Sequence, residues 1–557
     1  MNAPRHRIPG VVYPPADVAA DLAARGVLPN TTLIEGFIDS MRSRGDAIAV
    51  STSTSTMTYA ELNHRTDRIA AGLLASGLRP LDAVLFQLPN GPELVLYFVG
   101  CMKAGLIPVC TLLAHRENEI VAIGRQLGAR GHIVPAAHGN FDYPAFAARC
   151  RAELPTIALT MSTAATGAGT VSLEQIEARG ESADARQALA AVEHDPWQVA
   201  VWQLSGGTTG TPKVIPRMQN GYRVNLQCTA DRLGFTRDDR MLVFMPMMHN
   251  APFLCSWGTA LLIGAEIVTM DGVDPKLMVA SILARQPSWT IVSPLLLART
   301  RGMPGADALW RSFRGLLVAR DAEQVEAQTG VPAYPFFGMT EGVIFFGGAA
   351  DSTALRYGSH GHPISADDGF RILAPGTETE LPDGEIGEMV IRGPYTLHGY
   401  FNAEARNREA FTSDGWYRSG DLMSAVTIDG VRCVRYHGRS KDVVDRGGEK
   451  INCEEVEGLL CRHPNVANAA IVPMPDPEYG ERACAFVVTH PPGHPLTLAD
   501  LRTHLTDLGV AKFKWPERVE IVDALPMTAS GKLSKVPLRE AILARLQAEA
   551  AASSAAP

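Results

Sequence analysis

Residues 204–217 read LSGGTTGTPKVIPR and follow directly on the apolar run VAVWQ. Glycines 206, 207 and 210 let the backbone turn sharply and present consecutive N–H groups to an anion. The hydroxyls of Ser205, Thr208, Thr209 and Thr211 add donors, and Lys213 either anchors the loop or meets phosphate charge. The stretch reads as a cradle for nucleotide phosphates; taken alone, it also reads as a flexible surface loop. It is not a P-loop, which needs Gly, four residues and then Gly-Lys-Ser/Thr. Here the lysine follows Pro212 and precedes Val214.

The surrounding chain sets bounds on what such a loop serves. It has 557 residues, and a single core seldom grows beyond about 250–300, so two or more domains are expected. Hydrophobic residues at 46% and charged residues at 20% fit a globular protein. A net charge of −8 carries no nucleic-acid footprint. Nine cysteines without a CxxC pair read as reduced thiols filling cores. The N-terminus, MNAPRHRIPG, has no apolar run behind its basic residues and is not a signal peptide. The most apolar region, 84–113, is broken by Pro89, Glu93, Lys103 and Pro108. A membrane helix needs about 20 predominantly apolar residues, so this region reads as strand, helix, strand. A cytoplasmic protein with no membrane partner is expected.

Over the first 350 residues, β-branched runs (AVLFQLP, LIPVCTL, GHIVP, MLVFMP, AEIVTM, WTIVS) alternate with amphipathic segments such as YAELNHRTDRIAAGLLASG. That alternation predicts parallel sheets in an α/β fold. STSTSTMT (51–58) reads as an exposed edge strand. Near 360–435 the short runs FRILAP, GEIGEMVIRGP and VRCVRYHG predict a mostly β subdomain. Beyond GRSKDVVDRGGEK (438–450) an α+β pattern begins, and the tail QAEAAASSAAP reads as disordered. The expected fold is α/β: a large N-terminal domain (1–437) of two parallel-type sheets with helices and a β subdomain, then a small α+β C-terminal domain (438–557).

Further short motifs follow the loop in order. FGMTE (337–341) places Thr340 beside Glu341, a hydroxyl and a carboxylate suited to Mg²⁺ bridging nucleotide phosphates. GWYRSGD (415–421) ends in Asp421, which could accept hydrogen bonds from both ribose hydroxyls. GRSKD (438–442) lies at the domain boundary, and PMTASGKLSK (526–535) carries Lys532 in a turn. Singly, such an Asp is usually a cap and such a lysine a solvated charge. Their order and separation carry the signal.

With this motif set, the chain resembles the adenylate-forming superfamily: acyl- and aryl-CoA synthetases, nonribosomal peptide synthetase adenylation domains and firefly-type luciferases. The resemblance spans nearly the whole chain. It implies a two-step reaction, in which a carboxylate and ATP give an acyl-adenylate and pyrophosphate, and a thiol then takes the acyl group. It implies that Ser205, Gly206, Gly207, Thr208, Thr209, Gly210 and Lys213 hold the triphosphate, and that Thr208, Thr340 and Glu341 serve phosphate and Mg²⁺. By the same resemblance Phe337 borders the nucleotide, and Asp421 and Arg439 hold the ribose. Lys441 is a hinge for rotation of a mobile C-terminal lid, Gly447 and Gly448 guide the thiol, and Lys532 is the adenylation lysine. The implied cofactors are ATP, Mg²⁺ and coenzyme A or phosphopantetheine; the implied assembly is a monomer or homodimer.

The acid is read from FMPMMHNAPF (244–253). Amino-acid-activating relatives typically place an Asp here for the substrate ammonium, and this chain has His249-Asn250. The pair is similar to that of aryl-acid ligases for 2,3-dihydroxybenzoate or salicylate, in which the Asn hydrogen-bonds the ortho-hydroxyl. LLAHRENEI (112–120), RGPYTLHGYF and DRGGEKINCEEVE resemble runs of that subgroup. His249 also reads as a packed core histidine. Gly338 and Met339 join Asn250 as expected substrate contacts. Ala251 replaces a bulky aromatic, and the apolar VIFFGGAAD (343–351) replaces a polar run, which leaves room for an acid larger than salicylate, such as a hydroxynaphthoate. Ala319-Arg320-Asp321 departs from a Gly-Gly-Ala-like turn. The thiol acceptor is coenzyme A or an aryl carrier protein. A siderophore-type salicylate or 2,3-dihydroxybenzoate ligase, and a fatty acyl-CoA ligase, stand as alternatives; a non-catalytic scaffold is disfavoured by the presence of Lys532, Glu341 and Asp421.

Overall fold

Strand–helix alternation in the first part of the chain builds two sheets. In the computed structural model all residues are described except 1, 166–168, 206–211, 273, 293–296, 298–299, 301–308, 320, 440–441, 447–448, 478, 493, 509, 511, 529–531 and 555–557. The expected contacts Gly206, Gly207, Thr208, Thr209 and Gly210, the hinge Lys441, and Gly447 and Gly448 lie outside the described residues. The chain divides into two compact units. One comprises Met1–Phe370, Ile391–Tyr417 and Thr427–Cys433; the other comprises Arg371–Val390, Arg418–Val426 and Val434–Pro557.

In the first unit a seven-stranded sheet runs in the order Val171–Ser172, Leu159–Ser162, Gly131–Val134, Ala83–Phe86, Ile107–Val109, Val199–Ser205, Lys213–Met218. Its pairings are parallel until the last, which is antiparallel. Pro216 sits in that last, edge strand, where a missing N–H disturbs no inner ladder. The region 84–113 is strand, helix (Pro92–Lys103) and strand, as read. Leu85, Val109, Ile120, Phe146 and Trp202 share one core cluster against this sheet.

The nine-stranded sheet contains Arg240–Val243, Glu266–Thr269, Trp289–Val292, Gly315–Val318 and Ala333–Gly338 in parallel. Ile344–Phe346 and His362–Pro363 continue it antiparallel at one end. Ile48–Ser51 and Thr56–Thr58 close the other end as a hairpin. The low-complexity stretch therefore ends in an edge strand, Thr56–Thr58, as expected, but turns at 52–55 before it. Thr52 Oγ1 accepts from the backbone N–H groups of Thr54 and Ser55 at 3.2 and 3.0 Å, the local bonding that draws Thr and Ser into turns. The expected β region near 360–435 appears as Gly369–Leu373, Gly387–Arg392, Tyr417–Ile428 and Val431–Arg439.

In the second unit Glu449–Asn452, Val443–Arg446, Gly480–Thr489 and Val466–Asp476 pair antiparallel, and Arg518–Ile521 adds in parallel. Alternate residues of Val466–Asp476 supply two cores, one with Ala469 and Ile471, the other with Ala470 and Val472. The tail departs from expectation: Val536–Ser554 is helical, docked in the second core by Leu538, Ile542 and Leu546 at four-residue spacing and carried on to residue 554 by strong helix formers such as Ala, Glu and Gln. Among the described residues no helix is long and apolar enough to cross a membrane.

Candidate active site

Pleating decides which side chains gather around the glycine-rich loop. Ser205 pairs with Lys213, Gln203 with Ile215 and Val201 with Arg217 across the antiparallel pair that carries the loop. Directly paired residues project to one face. Ser205, Gln203, Lys213 and Arg217 therefore share a face, with the unassigned stretch 206–211 joining the two strand ends.

Glu341 lies against that face. Its Oε1 accepts from Ser205 Oγ at 3.3 Å and from Tyr400 Oη–H at 2.8 Å. Lys213 Nζ donates to Tyr400 Oη at 3.2 Å, and the Tyr400 and Tyr417 hydroxyls are 2.8 Å apart. The Tyr400 proton goes to Glu341, so Tyr417 and Lys213 donate to its two lone pairs. Burial, reinforced by the Glu341 charge, pushes the Tyr400 phenol pKa up and keeps it a donor. Glu341 is further tied through its carbonyl, which accepts from Leu397 N at 2.7 Å. One carboxylate beside hydroxyls fits Mg²⁺, which takes one or two carboxylates and completes its shell with phosphates and water. Among the described residues no cluster of three His, Cys, Asp or Glu could hold a metal by itself.

Thr340 connects this group to the candidate acid pocket. Its carbonyl accepts from Arg217 Nη1 at 2.8 Å, and Arg217 Nη2 donates to Asn225 Oδ1 at 2.9 Å. Arg217 is 2% exposed, and burial pulls its pKa down. Its guanidinium carbon lies 4.6 Å from the Tyr222 ring centroid, within cation–π range. Tyr222 donates to Asn250 Oδ1 at 2.6 Å and accepts from Gln203 Nε2 at 3.2 Å. Asn250 opens the short helix Asn250–Pro252, which His249 caps: His249 Nδ1 accepts from Ala251 N at 3.3 Å. Phe253–Trp257 continues as a π-turn, a form frequent at functional sites. Phe253 packs on Tyr222 with ring centroids 4.9 Å apart.

The structure thus brings Ser205, Lys213, Thr340, Glu341 and Asn250 into one hydrogen-bonded and stacked chain. Phe337 and Gly338 end the strand Ala333–Gly338, and Met339 follows it. Phe345 and Phe346 are buried; Phe345 lies 6.2 Å from Phe337 and Phe346 lies 5.8 Å from Phe336 by ring centroids. Ala319 is exposed after the strand Gly315–Val318. Asp321 occupies the left-handed region at φ +61, which Asp tolerates better than most non-glycine residues.

In the second unit Asp421 is buried, and Arg439 Nε lies 3.1 Å from its Oδ1. Asp421 sits within the long strand Tyr417–Ile428. Lys532 is exposed, its backbone N–H donating to Thr528 Oγ1 at 3.1 Å.

Gln203, Arg217, Tyr222, Tyr400 and Tyr417 were missed by motif reading. An Arg inside VIPRM and a Gln inside VAVWQL were the available signals, since polar residues in apolar strand runs ask for buried partners.

Residues 37–401 match the family described as AMP-binding enzyme, and residues 455–532 match the AMP-binding enzyme C-terminal domain. The chain is 35% identical over 514 residues to a salicylyl-CoA synthase / salicylate adenylyltransferase of a Streptomyces species, covering 89% of this chain and 91% of the relative. It is 34% identical to the 2,3-dihydroxybenzoate-AMP ligase of Bacillus subtilis, covering 92% and 95%. It is also 34% identical to the 2-hydroxy-7-methoxy-5-methyl-1-naphthoate–CoA ligase of Streptomyces carzinostaticus, covering 96% and 97%.

Proposed function

The chain belongs to the AMP-binding family of adenylate-forming enzymes, and on that premise we propose that it activates an ortho-hydroxy aromatic carboxylic acid with ATP and passes the aryl group to a thiol. The observation that carries this reading is the continuous path from Glu341 and Thr340 through Arg217 and Tyr222 to Asn250, which sets a phosphate-side group beside a buried neutral amide. A neutral amide suits a phenolic oxygen and gives an α-ammonium no counter-charge.

In the first step a carboxylate oxygen attacks the α-phosphorus of ATP, the acyl–O–P bond forms and pyrophosphate leaves. Both reactants are anionic, so cations must offset their repulsion. Lys213 and the 206–211 loop hold phosphate oxygens, and Ser205 and Tyr400 orient the Glu341 carboxylate. Mg²⁺, held by Glu341 and Thr208, would supply charge neutralisation there. Asp421 and Arg439 hold the ribose, and Phe337 borders the nucleotide. Lys532 stabilises the charge that develops between carboxylate and α-phosphate. In the second step the thiol sulfur, its proton lost, attacks the acyl carbon and AMP leaves. The C-terminal domain (438–557) turns about Lys441 between the steps, and Gly447 and Gly448 border the thiol path. Coenzyme A or a carrier-protein phosphopantetheine is the acceptor.

Ala251 in place of a bulky side chain admits a bicyclic acid. Similarity to a hydroxynaphthoate–CoA ligase supports this reading, and similarity to a 2,3-dihydroxybenzoate-AMP ligase supports the monocyclic, siderophore-type alternative. The test is acid-dependent ATP–pyrophosphate exchange with salicylate, 2,3-dihydroxybenzoate, hydroxynaphthoates, a fatty acid and amino acids, on the wild type and on Ala251→Tyr. Exchange with hydroxynaphthoates should fall at least about tenfold in the variant while salicylate persists, since one misfitted group costs roughly 1–3 kcal/mol. Equal loss for both acids removes the enlarged pocket, and exchange confined to fatty or amino acids removes the aryl reading.

A further inference from the structure

The polar chain Gln203–Tyr222–Asn250 has a direction, and the direction bears on which acids fit. A phenol carries one hydrogen. Gln203 Nε2 donates to Tyr222 Oη, so the phenol hydrogen goes to Asn250 Oδ1 at 2.6 Å. Asn250 must then turn its Nδ2 away from Tyr222. That nitrogen has no hydrogen-bond partner among the described residues, and Asn250 keeps 6% of its surface open. The reverse polarity would require Gln203 to turn its amide. As placed, Gln203 leaves a buried Oε1 without a partner. Turned, it would leave a buried NH₂ there instead, and orphaned N–H donors are rarer than under-satisfied carbonyls. Burial raises the Tyr222 phenol pKa, so the hydroxyl remains a donor throughout the working pH range. The ring has little freedom to move, lying between the Arg217 guanidinium and Phe253.

We propose that Tyr222 is a positioning residue that locks the Asn250 amide as a hydrogen-bond donor toward the bound acid, so that the enzyme selects an ortho substituent presenting a lone pair and rejects one presenting an N–H. The inference rests on the aryl-acid reading above and adds a polarity to it. The chemistry of the acids makes the distinction sharp. In an ortho-hydroxy acid the phenolic hydrogen bonds internally to the carboxylate, and the oxygen faces outward as an acceptor. In the ortho-amino analogue one N–H bonds internally and the second faces outward, donor against donor. The two acids have nearly the same size, so shape alone does not separate them.

Matched pairs test this: salicylate with anthranilate, and 3-hydroxy-2-naphthoate with 3-amino-2-naphthoate, compared by kcat/KM in ATP–pyrophosphate exchange. Wild type should favour the hydroxy acid of whichever pair it uses by about tenfold or more, the scale of one buried donor left unpaired. Tyr222→Phe keeps the ring and removes the lock. The hydroxy-to-amino ratio should fall toward one, chiefly through KM. Gln203→Met, which removes the donor that orients the phenol, should move the ratio the same way by less, and it serves as the test if Tyr222→Phe does not fold. A wild-type preference for the amino acids, or a ratio that neither variant changes while the hydroxy acids still support exchange, overturns the lock alone. Absence of wild-type exchange with every aryl acid overturns the aryl-acid reading and this inference with it.

Discussion

Asp368 shows how a single side chain takes its chemistry from burial. It lies in the first unit with Tyr395 Oη–H donating to its Oδ2 and Arg232 nearby, yet burial lifts its carboxyl to about 7. The folded state therefore holds a proton between about pH 4 and 7 that the unfolded chain releases. Stability from this group is complete below about pH 4 and is lost as pH rises toward 7. Asp368→Asn should flatten that slope and leave the protein roughly 1–4 kcal/mol more stable than wild type above pH 7, one pKa unit being about 1.4 kcal/mol. Thermal melting from pH 5 to 8 measures it; identical slopes would mean that Asp368 ionises normally. The local sequence supplies only the Ser365 N–H, 3.3 Å from Asp368 Oδ2; the burial, Tyr395 and Arg232 that set its chemistry come from elsewhere in the chain. The same holds for Tyr400, whose partners Lys213 and Glu341 lie 187 and 59 residues away. Thr340, Glu341 and Asn250 were legible because the motifs around them are local.

At the level of elements, the segment carrying Glu341 is held by a close backbone approach. A Cβ at Gly342 would lie 2.6 Å from the Thr396 Cα, and neither backbone can swing aside as a side-chain tip can. Leu397 N bonds the Glu341 carbonyl at 2.7 Å beside this contact. Gly342→Ala should cost about 1–3 kcal/mol of stability, the usual penalty for overpacking. It should also lower ATP–pyrophosphate exchange more than tenfold, because a displacement near 1 Å at a catalytic group can cost about a hundredfold. Denaturant melts and exchange rates together check this; a destabilised protein with full exchange would show that Glu341 does not depend on the contact. Strand and helix positions were largely readable, since alternation of β-branched runs with 3.6-residue patterns needs no partner. The helical tail and the turn at 52–55 were not, because a docked stripe (Leu538, Ile542, Leu546) starts the helix that good helix formers extend, and local hydroxyl–backbone bonding turns the chain before the edge strand.

For the whole molecule, the two-step proposal separates the roles of its parts. Lys532→Ala should reduce adenylate formation about 10²–10³-fold, the scale of losing one charge-stabilising group. Thiol transfer from supplied aryl-adenylate should be largely retained. Single-turnover measurement of each half-reaction decides it; equal loss in both would remove the adenylation role from Lys532. By itself the sequence determined the α/β class, the order of motifs and the family, because periodicity and short-range spacing survive without knowledge of contacts. Only the tertiary structure decided that Arg217 lies between Thr340 and Tyr222, and that Tyr222 hydrogen-bonds Asn250. Strand pairing and helix packing set those neighbours, and they join residues that no local pattern connects.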